Sequence, residues 1–330
     1  MPEIVGKEVG PIGLGLMGLT WRSTPPSQEQ AFSTLRAAIA NGATCWNGAD
    51  FYGTPSYNSL VLLERYFSAH PSDAEKVVLS IKSGMNPETH QLDGSPENTR
   101  RTLDACIRQL QGRKRIDIFQ FGRRDPNVPL EVTLGVIERE YVRTGKIGGV
   151  GLSEVRAETI HEAMKYTRVL AVEVELSMFS TDILRNGVAA ACAQYNIPII
   201  AYSPLGRGML TGHLKQLSDM PADSLLIQFN FPRFQQENFN QNLALVQKVE
   251  EIAARKGCTP AQLAVNWTVA VGRRVGVTVV PIPGASTGER VGENSRLVEL
   301  EEEVLDEIDV FLGAFETAGE RYPAAIQTET

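Results

Sequence analysis

A phenol and an ammonium stand at the ends of two consecutive apolar runs. The stretch Trp46-Asn47-Gly48-Ala49-Asp50-Phe51-Tyr52-Gly53 closes the first run with Tyr52. The second, Val77-Val78-Leu79-Ser80-Ile81, has no charge and is followed at once by Lys82. At the tops of neighbouring parallel strands such a pair falls within hydrogen-bonding reach. An ammonium beside a phenol lowers its pKa from the reference of about 10, which makes it a usable acid at neutral pH. The same spacing equally fits a packed tyrosine and a lysine that snorkels to solvent. Spacing alone leaves both readings open.

A second motif points elsewhere. Gly13-x-Gly15-x-x-Gly18 matches the dinucleotide fingerprint, whose glycines must open a helix with an acidic residue about 20 positions later. Here Leu19-Thr20-Trp21-Arg22 and Pro25-Pro26 follow, so no helix is expected at the glycines. The position of the acidic residue falls within Ala37–Ala40, which has no carboxylate. The simpler reading is a first strand whose glycines let the backbone turn close to a ligand.

Tyr52 and Lys82 can meet only if their runs lie side by side. Short β-branched runs predict strands at Ile12–Leu16, Thr44–Ala49, Val77–Ile81, Ile116–Phe121, Gly149–Leu152, Val169–Glu175, Pro198–Tyr202 and Gly276–Val280. Several are apolar throughout, as in parallel strands covered on both faces. Between them lie helical periods such as Ser27–Ala40, Ser59–Phe67, Pro96–Gln109 and Leu130–Val142. Ser95-Pro96 and Thr259-Pro260 mark helix starts. Eight strands each followed by a helix favour an α/β fold, a closed (β/α)8 TIM barrel, over an open doubly wound sheet. No linker or low-complexity tract divides residues 1–330, so one domain is expected, with its active site at the carboxyl ends of the strands. Asn240–Ala270 holds two helical stretches, residues 210–239 read as a long loop, and a terminal helix is expected at 301–315.

Composition narrows the classes. A net charge of −7 argues against a nucleic-acid partner, which needs a basic face. No apolar run approaches the ~18 residues that span a bilayer, and residues 1–10 show no signal-peptide pattern. Cys45, Cys106, Cys192 and Cys258 have no metal or redox spacing and read as free thiols of a reducing, cytoplasmic compartment. No metal is expected. Oligomeric state has no signal.

From Gly10 to about Phe315 the chain resembles the aldo-keto reductases. Asn47 to Gly53 matches the family's D-T-A-x-x-Y-G block and Ile81 to Gly84 its T-K-x-G strand end. Gly151-Leu152-Ser153-Glu154 resembles G-x-S-[NE], and Ala201-Tyr202-Ser203-Pro204-Leu205-Gly206-Arg207-Gly208 matches A-Y-S-P-L-G-R-G. Thr259 to Ala264 and Pro281-Ile282-Pro283-Gly284 through Glu293-Asn294 complete six motifs in order. The resemblance implies a reductase of small aldehydes or ketones that uses NADPH. It implies Tyr52 as proton donor, Lys82 as its electrostatic partner, and Asn47 beside them. Ser153, Glu154 and Glu173 would serve the nicotinamide, with Tyr202 stacked on its ring. Ser203, Leu205, Gly206 and Arg207 would line the pyrophosphate path. Ser286, Arg290, Glu293 and Asn294 would surround the adenosine 2′-phosphate, for which the paired donors of Arg290 are suited. Met17, Trp21 and Gly122 would form the substrate pocket.

Two positions depart from that pattern. The family's usual tetrad is Asp, Tyr, Lys, His, but Asn47 stands at the Asp and Gly122 at the His. His70, His90, His161 and His213 all lie away from Gly122 in sequence. Asp50 is three positions off the acidic site and reads as a solvated turn residue. Loss of the carboxylate should leave Lys82 with less counter-charge and bias Tyr52 toward phenolate. Loss of the His should leave open volume beside Tyr52 for a water or a polar ring substituent. Trp46-Asn47-Gly48 and Pro232 to Phe239 resemble the pyridoxal-reducing branch found in fungi, which also lacks the strand-four His. Pyridoxal is the expected substrate. A carbonyl reductase of secondary metabolism or detoxification, and a non-catalytic nicotinamide-binding regulatory subunit, are the alternatives.

Overall fold

Runs that are apolar on both faces can bury only between two layers, and this chain wraps them into a ring. In the computed structural model, which describes residues 1–85, 91–221, 224–324, 326 and 328–329, eight parallel strands pair in chain order. They are β1 (Leu14–Gly15), β2 (Cys45–Ala49), β3 (Val78–Ser83), β4 (Ile118–Phe121), β5 (Gly149–Ser153), β6 (Val169–Glu175), β7 (Ile199–Tyr202) and β8 (Val279–Pro281). Each lies within or beside a predicted strand. His90 and residues 222–223 of the predicted loop lie outside the described residues.

The first and last strands close the ring, and this explains the misleading glycines. Gly15 bridges Gly284 in parallel, while Gly13 N–H donates to Pro281 O at 2.8 Å and Gly15 N–H to Pro283 O at 3.3 Å. A Cβ at Gly13 would stand 2.4 Å from Cys45 O, and one at Gly15 2.8 Å from Ile282 O. The missing side chains let backbone approach backbone, rather than a ligand as the sequence suggested. A helical turn does follow at Met17–Thr20, but it ends at Trp21 after four residues.

Alternation along the strands divides the barrel interior into layers. Cys45, Val78, Ile118, Ala171, Ile200 and Val280 form one apolar cluster. An antiparallel hairpin, Glu3–Ile4 with Lys7–Glu8, seals it from below with buried Ile4 and Val9. Two residues further along, the inward positions become polar: Asn47, Ser80, Gln120 and Glu173, all buried. One more step of two residues on β3 brings Lys82. The chain therefore places a polar layer on an apolar floor at the carboxyl end.

The other strand faces meet the helices, where Trp46, Leu79, Phe119 and Val150 join the large core. Helices α1 (Gln28–Ala40), α2 (Ser59–Ala69) and α3 (Pro96–Gln109) start on capping side chains; Ser95 Oγ accepts from Asn98 N–H at 3.2 Å ahead of α3. The predicted helix Leu130–Val142 is α-helical over Leu130–Ile137 and then widens into a π turn over Glu138–Val142. Asn240–Ala270 corresponds to α4 (Gln236–Lys256) and α5 (Pro260–Arg274), the latter opened by a reciprocal Thr259–Gln262 cap. The supposed loop is a chain of single turns at Gly206–Thr211, Leu217–Asp219, Leu225–Gln228 and Pro232–Phe234. Helix α6 (Gly288–Ser295) follows β8, and the terminal helix α7 spans Glu302–Ala314. Beyond it the chain returns to the carboxyl end of the barrel: Thr317 Oγ1 donates to Phe179 O at 3.3 Å, and Asn242 Nδ2 to Ala318 O at 2.9 Å.

Candidate active site

The polar layer is held by a buried ion pair that crosses the barrel. Register sets Asn47 beside Ser80, Lys82 beside Gln120, and Glu173 beside Ser153. Lys82 Nζ donates to Glu173 Oε1 at 2.6 Å and also to Asn47 Oδ1. Asn47 Nδ2 donates to Glu173 Oε2 at 2.6 Å, and Gln120 Nε2 donates to the same oxygen. The Lys82 and Glu173 side chains are only 5% and 3% exposed. Charges this deep persist only when paired and hydrogen-bonded, and here three strands supply donors to one carboxylate.

This overturns one expectation from the sequence. Lys82 does not lack counter-charge through the loss of Asp at position 47; Glu173 supplies it from the opposite wall. Burial pulls the Lys82 pKa down, but Glu173 and Tyr52 more than restore it, so the ammonium is held above its ordinary value.

Tyr52 follows β2 in a loop anchored by Thr20 Oγ1, which donates to Tyr52 O at 2.7 Å. Its ring stacks on Trp21 (centroids 5.4 Å apart, planes at 28°) and meets the edge of Phe51 at 5.1 Å. Lys82 Nζ lies 5.1 Å from the ring centroid. Burial raises the phenol pKa, the charge and hydrogen bond of Lys82 lower it, and Glu173 raises it again. The balance lies above the usual tyrosine value, not below it as the pair alone suggests. The group keeps its proton through neutral pH and can give it up only to a stronger developing base.

Of the residues assigned to the substrate pocket, Met17 is 40% exposed and Trp21 stacks on Tyr52. Gly122 does not leave an empty space: a Cβ there would lie 3.3 Å from Phe51 Cζ. The Phe51 ring covers the position that sequence reasoning left open. Asp50, expected to be solvated, receives a hydrogen bond from Ser83 Oγ and lies 3.8 Å from Cys106 Sγ, and burial raises its pKa.

The residues assigned to a cofactor form two groups. Around the ends of β5 and β7 lie Ser153, Glu154, Tyr202 and Arg207. Glu154 accepts from Glu175 N–H at 3.0 Å and from Arg321 at 2.9 Å. Tyr202 Oη lies 2.8 Å from Tyr322 Oη. Ser203, Gly206, Arg207 and Gly208 all have positive φ (52°, 55°, 56° and 102°), and Leu205 packs against the core. The turn closes on itself: Gly206 N–H donates to Ser203 O at 2.9 Å and Gly208 N–H to Leu205 O at 3.0 Å. The Arg207 guanidinium lies over Phe231 and Tyr322 at 4.6 and 4.8 Å, with Nη2 3.8 Å from Glu175 Oε2 and without a hydrogen-bond partner among the described residues. A buried guanidinium nitrogen without a partner fits a ligand oxygen.

The second group is on α6. Thr287 caps it by accepting from Arg290 N–H at 3.3 Å; Arg290 is exposed, Glu293 half-buried and Asn294 buried. Ser286 O accepts from Gln30 Nε2 at 2.9 Å, tying this end to α1. A cavity of about 370 Å³ opens there, lined by Ser27, Glu29, Gln30, Ser33, Thr287 and Gly288.

Sequence reasoning missed Gln120, Phe51, Arg321 and Tyr322. Gln120 carried a signal, as the one polar residue within Ile118-Phe119-Gln120-Phe121. Tyr322 carried none, because it follows the last periodic segment.

Comparison with known proteins accords with this arrangement. The family model described as the Aldo/keto reductase family matches residues 11–312. A Schizosaccharomyces pombe protein named probable pyridoxal reductase 2 is 37% identical, covering 99% of each chain. Another from that yeast, named aldo-keto reductase yakc, NADP(+), is 36% identical over 97% of this chain and 93% of its own. Among solved structures, the Gluconobacter oxydans glycerol dehydrogenase superposes with a TM-score of 0.81 at 21% identity, covering 99% and 98% of the two chains. That likeness concerns the fold. With a phenol, an ammonium and a buried carboxylate gathered at the carboxyl end of the barrel, and with the family's model running through almost its whole length, this chain is an oxidoreductase of the aldo/keto reductase family.

Proposed function

We propose that the enzyme reduces pyridoxal, or a closely related hydroxylated aromatic aldehyde, to the alcohol with NADPH, using Tyr52 as proton donor. The observation that carries this reading is the Tyr52 ring 5.1 Å from Lys82 Nζ, whose charge Glu173 balances at 2.6 Å. The name of the yeast relative supports pyridoxal, and that of the second supports the phosphorylated cofactor. The aromatic wall of Trp21, Phe51 and Tyr52 suits a planar ring. The four unpaired cysteines support a reducing compartment such as the cytosol.

Bound NADPH supplies the hydride for the carbonyl carbon. Tyr52 Oη passes its proton to the carbonyl oxygen as charge develops there, and Lys82 stabilises the phenolate until solvent reprotonates it. Ser153 and the face of Tyr202 would orient the nicotinamide. Arg207 and the left-handed turn would hold the pyrophosphate, and Arg290, Ser286 and Asn294 the 2′-phosphate end. Glu154 would act through the backbone it braces.

NADPH consumption with pyridoxal, nitrobenzaldehyde and simple ketones tests the substrate. Pyridoxal should give the highest kcat/KM. Faster turnover of the other carbonyls would transfer the enzyme to general carbonyl reduction, and tight NADPH binding with no turnover would make it a regulatory subunit.

A further inference from the structure

We infer that Glu173 is a positioning residue for the Tyr52–Lys82 pair, a carboxylate moved from β2 to β6, and that Asn47 is the neutral bridge between the two. The inference rests on the proposed role of Tyr52, but it concerns only which carboxylate balances Lys82.

The geometry argues for this against the cofactor contact that resemblance implied. Glu173 Oε1 accepts from Lys82, and Oε2 accepts from both Asn47 and Gln120, so donors from three strands fix the carboxylate. Its side chain is 3% exposed, set into the polar layer just above Ala171 of the apolar floor. Asn47 is oriented by the same network: Oδ1 faces the ammonium and Nδ2 the carboxylate. An aspartate at position 47 would turn a second anion toward Glu173, whereas the amide offers each neighbour the group it needs. The two residues thus flank Lys82, and exactly one of them is an anion. Exchanging their charge states should preserve the balance at the ammonium.

The sign of the effect follows from charge. With Tyr52 neutral, Lys82 protonated and Glu173 ionised, the site is neutral, and losing a proton makes it negative. Without the Glu173 charge the site begins positive and loses a proton more readily. Glu173 therefore keeps the proton on the pair. The other groups that face it are Tyr322, from the carboxyl-terminal segment, the buried Cys45 thiol of β2, whose pKa burial and then Glu173 raise, and Asn47 and Gln120, which do not titrate. Asp50 is engaged by Ser83 and Cys106.

The test is an ultraviolet titration of the phenolate in protein without substrate, isolating Tyr52 by difference against the matching Tyr52→Phe protein. Glu173→Gln should lower the midpoint by about one pH unit or more. The basic limb of the kcat profile should move the same way, and the NADPH dissociation constant by less than about twofold, well under 1.4 kcal/mol. The double variant Asn47→Asp/Glu173→Gln should return the midpoint to near its original value. Asn47→Asp alone, read independently should Glu173→Gln fail to fold, should raise it. An unmoved midpoint in these variants, or an NADPH dissociation constant weakened tenfold with the titration unchanged, would overturn the inference and return Glu173 to the cofactor. Because the titration needs no turnover, a wrong substrate would not disturb it.

Discussion

Tyr52 and Lys82 were placed near the tops of neighbouring strands by the sequence runs, while their roles rested on the resemblance, because spacing alone fits a packed tyrosine and a snorkelling lysine equally well. Glu173 was visible as a candidate, but its partner was not: Lys82 lies 91 positions away, and only closure of the ring brings them to 2.6 Å. The consequence for Tyr52 was misread for the same reason, since burial and the distant carboxylate outweigh the nearby ammonium. Gly122 offers a direct test of pocket shape. A histidine there must displace Phe51, whose Cζ would lie 3.3 Å from the new Cβ. Gly122→His is therefore expected to lower kcat/KM for pyridoxal roughly tenfold, the scale of a misplaced reacting group. Steady-state kinetics of the parent and the variant check this, and equal values would show that Phe51 does not shape the site.

At the level of elements, strands were legible and the carboxyl-terminal connections were not. Strand runs have a signature in sequence because two buried faces demand continuous apolar residues. The stretch between β7 and α4 consists of single turns, too short for a 3.6-residue period to appear. The segment after α7 is tied down by charge rather than by apolar repeats. Arg321 reaches Glu154 at 2.9 Å and Glu175 at 3.9 Å, and those carboxylates are almost wholly buried. Replacing Arg321 by Met takes the guanidinium from Glu154, while Arg233 and Arg207 remain 3.6 and 3.8 Å from Glu175, and should cost on the order of 3 kcal/mol, as expected when one member of a buried pair is lost. Urea unfolding measures it. A midpoint that does not move would mean that the segment does not brace the β5–β6 ends.

Across the whole molecule, a net charge of −7 opposes a polyanionic cofactor, so selection must be local. Arg290 is exposed at the start of α6, where we propose that it meets the 2′-phosphate; Arg207 is less exposed, beside Glu175, on the proposed pyrophosphate path common to NADPH and NADH. Arg290→Met is expected to weaken NADPH binding roughly tenfold, about 1.4 kcal/mol, while leaving NADH nearly unchanged. Fluorescence titration with both cofactors checks this, and equal losses would remove Arg290 from phosphate recognition. The most direct measurement addresses the proton. In Tyr52→Phe, kcat for NADPH-driven pyridoxal reduction should fall by roughly 10²–10⁴, with NADPH affinity retained. A variant that binds NADPH and still reduces pyridoxal at the parent rate would contradict Tyr52 as the proton donor.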